Sequence, residues 1–352
     1  MNKIIIRKPD DFHVHLRNGE MLKNIIHATD SVFARVLAMG NLPEPVATAE
    51  DVVNYRNEIM SAAEPGFEPI MTIMLVNKTT PEIAEAAYRE AGVKVLKLIP
   101  GDTSTGSDQG VSLYDLEKYY PVLKKAGELG MIFSVHLELA AEKDGTPVPF
   151  TERERRALPF FEKLIKTFPS LKIVAEHITT RELIEIVNNS GPNVAGSLTY
   201  HHATITAGDV LDESGSVKNA FNLCMPVAKS EDDRRAVIEA MVSGNPKFFF
   251  GSDSAPHPLE KKQSPSTGSG QAPPAGIFTA PVALPGLAEI FEREGKLEEL
   301  ENFVSRFGAE FYGLPLNIGT VELVKEDWKA PEMIGNVKVF RGGEMFKWKV
   351  SD

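Results

Sequence analysis

Short β-branched or apolar runs alternate with amphipathic helical stretches along most of the chain, and that alternation restricts the fold more than any single motif. The runs are Ile4–Ile6, Val32–Asn41, Pro69–Val76, Val93–Ile99, Met131–Glu138, Leu171–His177, Val194–Thr199 and Phe248–Ser252. Helical periodicity marks Gly19–Asp30, Thr48–Ala63, Pro81–Ala91, Ser112–Leu129, Glu152–Phe168, Thr180–Asn189 and Ser230–Ser243, with Phe278–Glu294 after the last run. Strands alternating with helices build parallel sheets through right-handed crossovers, so eight such units predict an α/β protein, a (β/α)8 TIM barrel. A doubly wound open sheet is the alternative. A length of 352 residues accommodates one barrel or two smaller domains. The order of elements favours one barrel domain over residues 1–352. Residues 317–352 then form a C-terminal extension, a helix and short strands that include Val337–Phe340 and Phe346–Val350.

Composition narrows the class of partner. Forty-nine acidic against 38 basic residues leave a net charge of −11, and no Lys/Arg-rich run supplies the concentrated basic footprint that nucleic acid requires. Cys224 is the only cysteine, which excludes an intrachain disulfide and fits a reducing compartment. The three isoleucines before Arg7, Lys8 and Pro9 are too short for a signal-peptide core, and no apolar run approaches a membrane span. A cytoplasmic protein with no membrane or nucleic-acid partner is expected.

Two loops stand out. Ser264–Gly276 is rich in Ser, Gly and Pro, the composition of a linker, but its place between the eighth strand and its helix makes it a long loop on the active face. Pro100–Gly110 carries Gly101, Gly106 and Gly110 among Asp, Ser and Thr, which suits either a polar lid or an ordinary surface loop.

Catalytic groups of such barrels come from the C-terminal ends of several strands. Chemically capable residues recur there: His13 and His15 after the first run, Asn41 ending the second, Lys97 near the end of the fourth, then His136, His177 and Asp253 at the fifth, sixth and eighth. In extended chain, His13 and His15 aim two imidazoles at one point. Singly, each has a plainer reading. The His-x-His pair can be two satisfied or exposed side chains, His136 and His177 structural histidines, Asp253 a turn cap, and Lys97 a snorkelling surface lysine. Together, four imidazoles and a carboxylate at one barrel mouth favour zinc or another first-row divalent ion. That set is too large for one tetrahedral ion with an open position and too small for two ions without a bridge. Lys97 is the candidate bridge. A protonated lysine, pKa ~10.4, repels cations, whereas carbamylation by CO2 makes an anionic N6-carboxylysine whose two oxygens reach both ions. This needs Lys97 inside the barrel and Leu96 and Leu98 outside, as a period of two permits.

The same residues carry a family resemblance. Asp11-Phe12-His13-Val14-His15-Leu16-Arg17, Met39-Gly40-Asn41-Leu42-Pro43, Leu96-Lys97-Leu98-Ile99-Pro100, Val135-His136-Leu137-Glu138, Glu176-His177-Ile178-Thr179-Thr180 and Gly251-Ser252-Asp253-Ser254-Ala255-Pro256-His257 resemble, in order, the dihydroorotases of the amidohydrolase superfamily in their shorter bacterial form. The match runs from residue 9 to about 315, where Phe311-Tyr312-Gly313-Leu314-Pro315 also fits.

The resemblance implies interconversion of N-carbamoyl-L-aspartate and L-dihydroorotate in de novo pyrimidine (UMP) biosynthesis. It implies two Zn2+ per subunit, one held by His13, His15, Lys97 and Asp253, the other by carbamylated Lys97, His136 and His177, with a bridging hydroxide between them. Asp253 would be the general acid and base. For an anionic ring, Arg17 offers a bidentate fork, with Asn41 and His257 as further donors; matching family positions contact the substrate carboxylate. The Met225 and Ala275 backbones match positions on the ring and carboxylate, and Ser104 and Thr105 match a Thr-Thr pair on a substrate lid. The family also implies a homodimer. Some relatives carry cysteines where this chain has Ser264–Gly276, which has none. Hydantoinase-like amidohydrolases share the metal set but place the His-x-His after a β-sandwich portion, and a non-catalytic barrel should have lost ligands. His201-His202 is expected to have no metal role, and His27 to lie on a helix face.

Overall fold

The structure, a computed structural model, describes residues 2–101, 103, 109–263 and 273–351. A first strand, β1 (Lys3–Arg7), stands outside the barrel. The parallel sheet then runs in chain order through β2 (Asp10–Val14), β3 (Arg35–Ala38), β4 (Glu68–Met74), β5 (Val95–Leu98), β6 (Ile132–Val135), β7 (Lys172–Ala175), β8 (Val194–Leu198) and β9 (Phe248–Phe250). Its ends meet just beyond β9, where Asp253 N donates to His13 O at 2.8 Å and His15 N donates to Ser254 O at 3.0 Å. This closure makes the (β/α)8 barrel and excludes the open sheet.

Two expectations are corrected. The Ile4–Ile6 run belongs to β1, which pairs antiparallel with β10 (Thr320–Val324) in a separate three-stranded sheet completed by Lys349–Val350. The first barrel strand is β2, which carries His13 within it. Its two aspartates hide it from an apolar search, and both are buried with partners. Asp10 accepts from Arg35 Nε at 2.9 Å and Nη2 at 2.6 Å, a paired charge that removes the penalty of burying either alone. The helix expected after Asn317 is also absent among the described residues, where short strands run from β10 to Lys349–Val350. The alternation Thr-Val-Glu-Leu-Val suits the edge of β1, and Leu323 is fully buried there.

Helices follow the predicted ranges with trimmed ends. Thr48 caps Ala49–Ala62 in a reciprocal box with Asp51, and Thr80 caps Pro81–Ala91 before Gly92 ends it in the left-handed region. The first expected helix divides into Gly19–Ile25 and His27–Asp30, and Pro121 falls where the 3-10 turn Leu113–Tyr119 gives way to Tyr120–Glu128. No helix among the described residues is long and apolar enough to cross a membrane.

Period-two alternation sorts the strands' side chains. Val95, Ile132, Val174, Ala195 and Phe249 form an interior layer with Phe12, while Leu96, Leu98, Phe133, Val135 and Ile173 pack in the outer core. The helix Phe307–Tyr312 closes the lower end. Phe12 stacks on Tyr312 with centroids 4.7 Å apart, Lys172 Nζ donates to Phe311 O, and Arg35 Nη1 donates to Pro315 O, both from strand starts. Gly308 is needed for this approach, since a Cβ there would lie 2.3 Å from the Phe12 ring. Apolar packing therefore fills the N-terminal end of the barrel, and polar side chains are left to the C-terminal mouth.

Candidate functional site

The residues continuing the interior faces of the strands converge on one pocket at that mouth. It is lined by His13, His15, Arg17, Asn41, Lys97, His136, His177, Met225, Asp253 and Ala275, with Ile99, Ala255 and Gly276. His257 stands beside it, its Nε2 3.1 Å from Arg17 Nη2 and 2.8 Å from Ala275 O. Ser104 and Thr105 lie outside the described residues.

Lys97 shares the inward face of β5 with Val95, opposite Leu96 and Leu98, as the alternation requires. It is fully buried and its Nζ has no hydrogen-bond partner among the described residues. An unpaired ammonium in such a place is costly. Burial pulls the Lys97 amine down to about 8 despite the attraction of Glu176 and Asp253.

The imidazoles fall into two groups. His15 Nε2 lies 3.0 Å and His13 Nε2 3.5 Å from the same Asp253 oxygen. His136 Nδ1 lies 3.1 Å from His177 Nε2, and the His13 and His177 rings link the groups with centroids 4.9 Å apart. His13, His15 and Asp253 bring three ligand atoms within one ion's reach. Burial lowers His15 to about 4 and His177 well below the ordinary histidine value, and it also lowers His136. Neutral imidazole is the ligand form. For Asp253, burial favours the protonated acid, but the His15 hydrogen bond and the imidazoles around it outweigh that and hold the carboxyl below its usual range. Buried Nδ1 atoms of His15 and His177 lack hydrogen-bond partners among the described residues. Neutral nitrogens, an ionised carboxylate and an orphaned amine fit divalent ions of the zinc type.

Backbone strain concentrates here. Arg17 (φ 62°), His177 (φ 40°) and Asp253 (φ 46°) are three of the four non-glycine residues described with positive φ. Such conformations cost on the order of 1–3 kcal/mol each and persist only where surrounding contacts impose them. Asp11 supplies some of those contacts, its Oδ1 accepting from Ser252 N at 2.7 Å and His13 N at 3.1 Å. Glu154 supplies others, accepting from the backbone and hydroxyl of both Thr179 and Thr180 just after His177.

Sequence reasoning missed the acceptors behind the imidazoles. Glu176 Oε2 lies 2.8 Å from His13 Nδ1 and also accepts from Ser197, while its other oxygen accepts from Ser134. Glu138 Oε2 lies 2.8 Å from His136 Nε2. Their signal was present, as Glu176 adjoins His177 and Glu138 follows His136 at the same-face spacing of two. His201, His202 and Cys224 cluster nearby, but His202 is engaged at both nitrogens, with Thr199 Oγ1 and Pro226 O at 2.9 Å each.

No protein-family model matches the chain. A dihydroorotase from Aliivibrio fischeri is 40% identical over 356 aligned residues, covering 99% of this chain and all of that protein. Among solved structures, a Saccharomyces cerevisiae dihydroorotase in complex with 5-fluoroorotic acid superposes with a TM-score of 0.90 at 30% identity, covering 100% and 99% of the two chains. A Campylobacter jejuni dihydroorotase does so with 0.87 at 33% identity, covering 100% and 98%. Full-length identity to the curated relative and superposition of the whole barrel on solved dihydroorotases show that the chain belongs to the dihydroorotase family of cyclic-amide hydrolases.

Proposed function

We propose that the pocket is a binuclear zinc centre serving the reversible cyclisation of N-carbamoyl-L-aspartate to L-dihydroorotate, a step of pyrimidine synthesis. One observation carries the assignment of the centre: Lys97 Nζ, fully buried and without a hydrogen-bond partner among the described residues, opens on a pocket lined by His13, His15, His136, His177 and Asp253. Carbamylated, that amine becomes an anion with two oxygens, matched in charge to two cations. His13, His15, Asp253 and modified Lys97 would hold one ion, and modified Lys97, His136 and His177 the other. When bound, such ions acidify water and polarise an amide carbonyl.

The chain's own groups do the rest. Asp253 takes a proton as water adds to the ring carbonyl, then returns it to the amide nitrogen as the C–N bond breaks, leaving a carboxylate and a ureido group. In the reverse direction it removes the ureido proton as the ring closes. Arg17 holds the ring's free carboxylate, with Asn41 and His257 beside it. The Met225 and Ala275 backbones face the ring. Ser104 and Thr105, outside the described residues, are assigned to a lid by resemblance alone.

The test is metal analysis with a ring-opening assay on wild type and Lys97→Ala. About two metals per wild-type chain, with loss of metal and activity in K97A, is the expected result. Fewer than about one metal per wild-type chain, or undiminished K97A activity, would overturn the bridged centre.

A further inference from the structure

Lys262 is a buried lysine in the five-residue helix Leu259–Gln263, whose Glu260, Lys261 and Gln263 are exposed. Its amine turns inward to two carbonyls distant in sequence. Nζ donates to Pro274 O at 2.9 Å and to Leu223 O at 3.3 Å. Each acceptor immediately precedes, or lies two residues before, a residue lining the pocket, namely Ala275 and Met225.

The surrounding bonds show what this contact joins. Leu223 O also accepts from Gly276 N at 2.8 Å, so the two segments already touch at one point. Gly276 sits at φ +146°, where a Cβ would come within 2.3 Å of Ala255 O, so the strap is pressed against the chain that leaves Asp253. His257 reaches Ala275 O from the other side. Lys262 adds a second tie between the straps. Two N–H groups suffice for two carbonyls, so a neutral amine and an ammonium both make it.

We infer that Lys262 is a positioning residue for substrate: by joining Leu223 O and Pro274 O it sets the spacing of the Met225 and Ala275 backbones against the anionic ring. This rests on the reading of those backbones as substrate contacts. The proton transfers of ring opening belong to Asp253, whereas the Lys262 bonds go to the Leu223 and Pro274 carbonyls, so the consequence falls on binding and not on the chemical step.

The experiment compares KM and kcat for dihydroorotate, with metal content, in wild type, Lys262→Met, Lys262→Arg and Arg17→Met. For K262M the expected result is a KM raised about tenfold, kcat within about threefold of wild type, and unchanged metal content. In K262R, which keeps the donors, KM should recover at least in part. Should K262M fail to fold, Lys262→Gln, polar but too short to span both carbonyls, carries the same expectation and the same refutation. An unchanged KM in the methionine or glutamine variant would overturn the role, as would a loss of kcat alone with KM intact. The underlying reading fails separately: an unchanged KM in R17M overturns the carboxylate site itself, whereas a raised KM in R17M beside an unchanged KM in K262M overturns only Lys262.

Discussion

Glu176 Oε2 lies 2.8 Å from His13 Nδ1, across the barrel mouth from β7 to β2, with both side chains buried. The contact fixes which His13 nitrogen faces the pocket. Nδ1 is turned to the carboxylate, and Nε2 is left toward Asp253 at 3.5 Å. Burial works against ionisation of Glu176, but His13, Lys97 and the serine hydroxyl more than compensate and lower it to about 2.

Replacing that carboxylate should therefore loosen metal without emptying the pocket of ligands. Acceptors behind metal-bound histidines typically account for about 10–100-fold in affinity. Glu176→Gln is expected to lose metal to a competing chelator about that much more readily, with the barrel folded by circular dichroism. Equal retention in wild type and variant would show that His13 is oriented by its backbone alone.

Arg17 should determine which ring is opened. It lines the pocket, donates through Nε to Pro256 O at 3.0 Å, and adopts φ 62° to do so. Losing one charge-assisted bidentate contact costs on the order of a few kcal/mol, about two orders of magnitude in kcat/KM. Arg17→Met is expected to lose that much on dihydroorotate and little on a neutral hydantoin. Unchanged preference between the two would remove Arg17 from substrate selection.

Glu154 should matter through His177. Its two oxygens accept five hydrogen bonds from Thr179 and Thr180, two and three residues beyond a histidine at φ 40°. Glu154→Leu leaves those buried N–H and hydroxyl groups unsatisfied, at about 1–3 kcal/mol for each one orphaned. A lowered melting temperature with a lower metal content is expected, and Glu154→Gln should fall between. Metal content independent of either change would confine Glu154 to stability.

Much of this site was legible because barrel geometry converts chain order into proximity. His136 and His177 lie 41 residues apart in sequence, yet each follows the end of a strand within two residues and their nitrogens stand 3.1 Å apart. Lys97 was legible for the same reason, its neighbours Leu96 and Leu98 marking the outward face. Strand β2 was not, because Asp10 and Asp11 break the apolar run and their partners, Arg35 and the Ser252 backbone, lie far along the chain. Glu176 and Glu138 were in view but unassigned, since a carboxylate beside a histidine has no direction until both backbones are placed.

The sequence by itself determined the alternation of elements, the order in which histidines, Lys97 and Asp253 reach one mouth, and the family to which the motifs belong. Only the tertiary structure decided the rest: that Ile4–Ile6 leaves the barrel to pair with Thr320–Val324, that Glu176 turns to His13, and that Lys262 turns inward to Leu223 and Pro274. Period and order are properties of a chain read locally. A hydrogen bond between distant segments depends on where closure of the ring brings them, and the chemistry of either residue alone carries no sign of it.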